Sequence, residues 1–313
     1  MKRLLSCVLT VSLIAVTCSL DSSCPGNFSQ DSKKWVWHAD VNPASCLRTG
    51  TLLYYIGNSI TRGEFFSLAC ELQAQGGSVD LCKFSGASGK LRQRQTNLCP
   101  KNRFRSRAWK PKRDDGKSLE QSFSCYFVQS GITIAYRWAD TLEEYISALR
   151  VTQIFKPHAI FMQIALQATE IMIDAVKRKH FFKRFASVLR ASELTGNVLY
   201  VKSINPVIEA TLDTASVEQA VTTSQRKMGH GHGRTWNNVQ LLSINRLVRE
   251  WSITLHATYI DEWTILYPNM SQLYADNVHP NHIATKAKLD CSLWAFCSST
   301  TAEGTSRVVE VER

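Results

Sequence analysis

Residues 52–72 read LLYYIGNSITRGEFFSLACEL. The run Leu52-Leu-Tyr-Tyr-Ile56 is apolar and β-prone and stops at Gly57. Phe65, Phe66, Leu68, Ala69 and Leu72 then recur at helical spacing as far as Gly76-Gly77. The pattern is strand, tight turn, helix, with Ser59 on the turn.

Working outward, the same alternation repeats. Val79 to Phe84 reads as a second short strand that ends in Ser85-Gly-Ala-Ser-Gly89. Phe123 to Trp138 alternates apolar and polar residues around Gly131, the signature of a hairpin. Leu142 to Phe155 has helical spacing, and Ala159-Ile-Phe-Met-Gln-Ile-Ala165 is apolar apart from Gln163, as a central strand buried on both faces requires. Val176 to Leu194 is a basic amphipathic helix, and Asn197-Val-Leu-Tyr-Val201 is a strand bounded by Asn205-Pro206. Asn238 to Trp251 places Leu241, Leu242, Ile244, Leu247, Val248 and Trp251 on one helical side, and Thr258-Tyr-Ile-Asp261 is a last strand. Strands alternating with helices predict a three-layer α/β/α domain with a mostly parallel central sheet. Right-handed crossovers gather the C-terminal strand ends on one edge, where open α/β sheets bind ligands.

Composition agrees with a globular domain. Of 313 residues, 44% are apolar and 20% charged, and the 15 Gly and 8 Pro exclude collagen-like or low-complexity chains. No repeat of solenoid or propeller length occurs. The net charge of +11 is concentrated: the window 83–113 holds eleven Lys and Arg and no Asp or Glu, so it alone carries the excess. With little periodicity, it reads as a basic surface insertion in the main domain.

Lys2 and Arg3 precede the apolar run Leu4 to Ala15, and Thr17, Cys18 and Ser19 follow, the order of a secretory signal peptide cleaved near residues 18–20. An uncleaved anchor is the competing reading, but the run from Leu4 to Leu20 is shorter than the ~20 mostly apolar residues of a span. Eight of ten cysteines remain after cleavage: Cys24, Cys46, Cys70, Cys82, Cys99, Cys125, Cys291 and Cys297. An even number behind a signal peptide implies a disulfide-stapled domain in the secreted or lumenal compartment, with connectivity open. A zinc site is the lesser reading because no CxxC pair occurs. Asn27-Phe-Ser29 and Asn269-Met-Ser271 are glycosylation sequons. The expected organisation is a signal at 1–20, a disulfide-containing segment at 21–50, an α/β domain at 51–298 with the insertion at 83–113, and a tail at 299–313.

Three features fall at the expected strand ends. Ser59 sits at a helix N-terminus, where free N–H groups and positive potential stabilise an oxyanion; a simple helix cap is the alternative. In Asp276-Asn-Val-His279-Pro280, an acid three residues before a histidine can fix its tautomer and leave Nε2 as a base, whereas a plain turn would use neither side chain chemically. Gly89 ends a loop in which a backbone N–H can approach a substrate oxygen, or which is merely a turn. Gly229-His-Gly-His-Gly233 invites a metal reading, but no acidic or thiol ligand lies near, and a surface loop is preferred. No metal or other cofactor is expected.

Together these blocks resemble the SGNH or GDSL-type hydrolases, and within them the PC-esterase branch of polysaccharide and sialic-acid O-acetyltransferases. Gly57-Asn-Ser-Ile-Thr-Arg62 is similar to the GDSxxR block, Gly89 to the oxyanion glycine and Asp276-Asn-Val-His279-Pro280 to the DxxHP block. The helix with Asn238, Leu241 and Asn245, and the Tyr259-Ile-Asp261 and Trp263 that follow, resemble the branch's approach to DxxH. Asn58 stands where the family has Asp, and Ala165-Leu166-Gln167 stands for its G-x-N block. The resemblance implies Ser59, His279 and Asp276 as a catalytic triad. It also implies Ser59, Gly89 and Gln167 as oxyanion donors, Arg62 as a substrate-orienting residue, and O-acetyl groups of glycans as substrate. The basic window, with Arg103, Arg105 and Arg107, suggests an acidic glycan partner, since clustered positive charge concentrates anions, a solvated loop whose charge aids solubility being the alternative; nucleic acid is not expected for an exported chain. A glycan-binding module that has lost activity is the alternative, and a disulfide-rich matrix protein a third.

Overall fold

The computed structural model describes residues 21–22, 24, 26–28, 35–37, 46–74, 81–85, 91–93, 122–127, 130–194, 198–208, 237–275 and 278–308. The strands in chain order are β1 (Asp21–Ser22), β2 (Gly26–Phe28), β3 (Trp35–Trp37), β4 (Leu52–Gly57), β5 (Leu81–Ser85), β6 (Leu91–Gln93), β7 (Ser122–Phe127), β8 (Ile132–Trp138), β9 (Ala159–Gln163), β10 (Leu199–Lys202) and β11 (Thr258–Ile260). The helices are α1 (Ser59–Ala74), α2 (Leu142–Val151), α3 (Thr169–Ile173), α4 (Ala175–Ala191), α5 (Asn238–Thr254), α6 (Trp263–Leu266), α7 (Met270–Leu273) and α8 (His282–Val308).

Nine strands form one sheet in the order β1-β11-β10-β9-β4-β8-β7-β5-β6, and β2 pairs with β3 apart from it. From β1 to β8 every neighbouring pair is parallel, and the β8-β7-β5-β6 side is antiparallel. The hairpin expected around Gly131 is β7–β8. Gly131 takes φ +64°, and a Cβ there would lie 2.5 Å from Thr49 Cγ2, so only glycine fits the turn.

Strand β4 is central because it is apolar on both faces. Tyr54 and Ile56 pack with α2, α4 and α5 on one side of the sheet. Leu53 and Tyr55 pack with Phe65, Leu68 and Leu72 of α1 and Leu289, Leu293 and Phe296 of α8 on the other. The expected three-layer α/β/α class is what the chain forms. Two boundaries differ. The strand expected at Val79 to Phe84 is β5, three places from β4 in the sheet, because the β7–β8 hairpin occupies the intervening positions. Residues 299–308, expected as tail, continue α8, and Ser299 Oγ meets the Tyr200 hydroxyl, tying that turn to the core.

Disulfides Cys24–Cys291 and Cys46–Cys297 fasten the N-terminal segment to α8. Cys70 on α1 is also disulfide-bonded. No helix among the described residues is long and apolar enough to cross a membrane.

Between α1, α8 and the sheet lies a square of four fully buried charges. Lys202 at the end of β10 pairs with Glu64 of α1 and, at 3.3 Å, with Glu262 just after β11. Lys288 of α8 pairs with the same two carboxylates at 2.9 and 3.1 Å. Ions cost several kcal/mol each to desolvate, so such a group persists only when charges balance and geometry is good. Here two ammoniums face two carboxylates. Burial opposes ionisation of Glu64, but Lys202 and Lys288 together hold it below the usual carboxylate range. Burial dominates at Glu262 and, with repulsion from Glu64, pushes it up against the pull of both lysines.

The two carboxylates therefore differ in the proton they would accept first. Because Glu64 is held down, its contribution to stability is complete above the usual carboxylate range and is lost as the pH falls through its folded value. Breaking a buried pair costs about 3–5 kcal/mol. At neutral pH, Glu64→Gln should cost that much in urea unfolding. Glu262→Gln, at the carboxyl that burial already pushes up, should cost clearly less; equal losses would contradict the assignment.

Candidate active site

The turn between β4 and α1 is built from close contacts. A Cβ on Gly57 would lie 2.3 Å from Thr61 Oγ1 and 3.1 Å from the Gln163 carbonyl oxygen, so α1 and β9 approach the chain here as only glycine permits. Asn58 is the cap of α1: its Oδ1 accepts from Ile60 N–H at 3.1 Å, and its carbonyl accepts from Arg62 N–H at 3.0 Å. An amide oxygen performs this capping as a carboxylate would. With the cap supplied by Asn58, the Ser59 hydroxyl is left for other partners.

That partner is His279. Ser59 Oγ lies 2.8 Å from His279 Nε2, across 220 residues of sequence. The histidine is presented by a short loop fixed at both ends. Ala275 N–H donates to the His279 carbonyl at 2.8 Å, and Asn281 N–H to the Leu273 carbonyl at 2.7 Å. Asn281 then caps α8, its Oδ1 accepting from Ile283 and Ala284 N–H. Serine and histidine are thus each held beside a helix start, and the N-terminus of α1 is a local positive end.

Two tyrosines brace the strand ends. The Tyr136 hydroxyl on β8 reaches the Gly57 carbonyl at 2.9 Å and the Asn58 carbonyl at 3.1 Å. The Tyr145 hydroxyl on α2 donates to the Gln163 carbonyl at 2.6 Å and accepts from Ala165 N–H at 2.8 Å. Burial pushes both phenols well above their usual range, so both remain donors. Gln163, the one polar residue of β9, donates through Nε2 to the Ser203 carbonyl at 2.6 Å and to Asn205 Oδ1 at 2.9 Å, and contacts Glu262 at 3.2 Å. Its polarity links β9 to the segment after β10. On α5, Asn245 and Asn238, seven residues apart, each bond both the N–H and the carbonyl of one residue in that segment, Ile204 and Val207.

Of the residues singled out in sequence, Ser59 and His279 are brought together. Arg62 lies on the same turn of α1, 4% exposed, its guanidinium 5.2 Å from the Trp138 ring centre. Burial lowers its pKa, while Tyr136 and Asp140 act in the opposite sense. Gln167 lies in the 3-10 turn Leu166–Ala168 that follows β9. Asp276, Gly89, Arg103, Arg105, Arg107 and the Gly229 to Gly233 motif lie outside the described residues. The loop directly abreast of Ser59 is the one after β8, where Ala139 N–H donates to the Gly57 carbonyl and Trp138 Nε1 to Asp140 Oδ2. Tyr136, Tyr145 and the buried charges escaped the sequence reading. The position of Tyr136 within the strand next to β4 is the signal that finds it, and that requires strand order.

No protein-family model matches the chain, and no curated protein matches it. Among solved structures, the chain is similar to a GDSL-like lipase from Bacteroides thetaiotaomicron at 11% identity, with 80% of this chain and 89% of that one covered and a TM-score of 0.42. It is also similar to a carbohydrate esterase family 3 protein from Talaromyces cellulolyticus, at 13% identity, 81% and 99% coverage and a TM-score of 0.40. A peptidoglycan O-acetylesterase matches at 8% identity, 84% and 94% coverage and a TM-score of 0.42.

Forcing a methyl group into a packed site typically costs about 1–3 kcal/mol. Gly57→Ala should lose that much stability in chemical denaturation, because Thr61 and the β9 backbone must move. A variant as stable as the parent would show that the turn is looser than its contacts indicate.

Proposed function

We propose that the chain is a serine esterase or acyltransferase that acts on O-acyl groups of glycans, chiefly O-acetyl. The observation that carries this reading is the 2.8 Å approach of Ser59 Oγ to His279 Nε2 at the start of a helix. A serine hydroxyl becomes a nucleophile when a neighbouring base takes its proton, and a helix N-terminus favours the negative charge that follows. Asp276, three residues before His279, is the orienting acid, as the DxxHP resemblance implies.

Ser59 Oγ attacks the ester carbonyl carbon while its proton passes to His279 Nε2. The carbonyl oxygen becomes an oxyanion that accepts hydrogen bonds from Ser59 N–H, with Gly89 N–H and the Gln167 amide as further donors. Collapse of this intermediate breaks the bond to the alcohol oxygen, which leaves with the proton from His279. Water or a sugar hydroxyl then attacks the acyl-enzyme by the reverse proton route, which makes the overall reaction hydrolysis or transfer.

The signal-like N-terminus and the disulfides support an exported or lumenal setting. The basic window supports an acidic glycan, with Arg103, Arg105 and Arg107 among its contacts.

The test is turnover of a chromogenic acetyl ester. Ser59→Ala and His279→Ala should each lower kcat/KM by at least about 10³-fold, and the double variant should be little worse, because triad members act as a unit. A fluorophosphonate should label the parent on Ser59 and leave Ser59→Ala unmodified. Full turnover by Ser59→Ala would remove the serine nucleophile.

For the basic window, heparin affinity should fall steeply as salt rises from low to 0.15 M, where screening acts over ~8 Å. Replacing Arg103, Arg105 and Arg107 with Ser should weaken it; unchanged affinity would take the window out of the substrate account.

A further inference from the structure

We propose that Tyr136 is a positioning residue that aims the Ser59 backbone N–H at the oxyanion, an inference that rests on the esterase reading above. The Tyr136 hydroxyl sits 3.1 Å from the Asn58 carbonyl oxygen and 2.9 Å from that of Gly57. The Asn58 carbonyl and the Ser59 N–H belong to one planar trans peptide unit, so they point in opposite directions. Whatever fixes the carbonyl on the inner side of the turn fixes the N–H on the outer side. The Arg62 N–H also bonds this carbonyl, but it belongs to α1 and moves with the helix. Tyr136 comes from the sheet and ties the peptide to a frame independent of α1.

The phenol is well placed for this. Its strand pairs in register with β4, Tyr136 opposite Tyr55, and its ring lies 5.8 Å from that of Phe65 at 1% exposure. A hydrogen bond to the carbonyl also polarises the peptide and strengthens its N–H as a donor, the cooperativity expected of linked hydrogen bonds in a dry site. Removing the hydroxyl leaves the Ala139 N–H on the Gly57 carbonyl and the Arg62 N–H on the Asn58 carbonyl. Aim is lost while the fold keeps its backbone bonds.

Tyr55 is the matched control. It is an equally buried tyrosine on the neighbouring strand, and its hydroxyl makes no hydrogen bond among the described residues. The experiment compares the parent, Tyr136→Phe, Tyr55→Phe and Ser59→Ala on an acetyl ester. It also measures the Ki of a small alkyl boronic acid that forms a tetrahedral adduct on serine. Loss of a whole oxyanion donor costs about 10²–10³ in rate, so a misaimed one should cost about 10- to 100-fold in kcat with little change in KM. Boronate Ki should rise by a similar factor in Tyr136→Phe and stay at the parental value in Tyr55→Phe.

A parental kcat/KM in Tyr136→Phe, or a lost kcat without a weakened boronate, overturns the inference while an inactive Ser59→Ala leaves the esterase reading standing. If Ser59→Ala itself keeps full activity, the esterase reading fails and this inference with it. Should Tyr136→Phe unfold, the boronate-induced downfield shift of the Ser59 amide proton in the parent decides the matter, and its absence overturns the proposal.

Discussion

The arrangement depends on the neutral square of Glu64, Lys202, Glu262 and Lys288. Each charge comes from a different part of the chain: the first helix, the end of β10, the second residue after β11 and the last helix. Apolar contacts would let α1 and α8 slide over the sheet at small cost, because dispersion is not directional. Four ions in a dry interior allow one registration, since any slip leaves a charge uncompensated. Fixing α1 against α8 fixes Ser59 against His279, because Ser59 opens the first helix and His279 lies just before the second.

This explains why the serine turn tolerates so little freedom. Gly57 lies where Thr61 and the β9 carbonyl close in, Asn58 spends its side chain on the helix cap, and Tyr136 holds the two carbonyls before Ser59. Glu64 lies within two turns of Ser59 on α1, so electrostatic order in the core passes directly into the geometry of the hydroxyl. Polar residues elsewhere on the strand ends serve the same purpose. Gln163, Asn238 and Asn245 satisfy backbone and side-chain groups around the segment after β10, where the chain leaves the sheet and would otherwise bury unpaired N–H and carbonyl groups.

The strand, turn and helix at residues 52–74 were legible because period-2 and period-3.6 patterns meet at one glycine. The β7–β8 hairpin was legible from its alternation around Gly131, whereas the pairing of Ser59 with His279 came from the resemblance to the GDSxxR and DxxHP blocks and from no local pattern. Strand order was not legible. Nothing local in Ile132–Trp138 says that it, and not Leu81–Ser85, lies beside β4, and Tyr136 stayed hidden with it. The charged square was equally silent: Glu64 and Lys288 look like ordinary helical polar positions, and only tertiary packing reveals that they face inward. At residues 299–308 the Ser/Thr run and Gly304 are poor helix formers, yet the helix continues through them, so no local signal there predicts α8.

Disulfides Cys24–Cys291 and Cys46–Cys297 join positions separated by 267 and 251 residues, so nearly all of the sheet lies inside one covalent ring. A protease that cuts once anywhere between Cys46 and Cys291 therefore releases nothing: both pieces stay attached, and the site can survive in a two-chain molecule. Tension applied from outside the ring runs through the sulfur bridges and bypasses β2 to β11, leaving of the sheet only β1, which precedes Cys24, in the line of load.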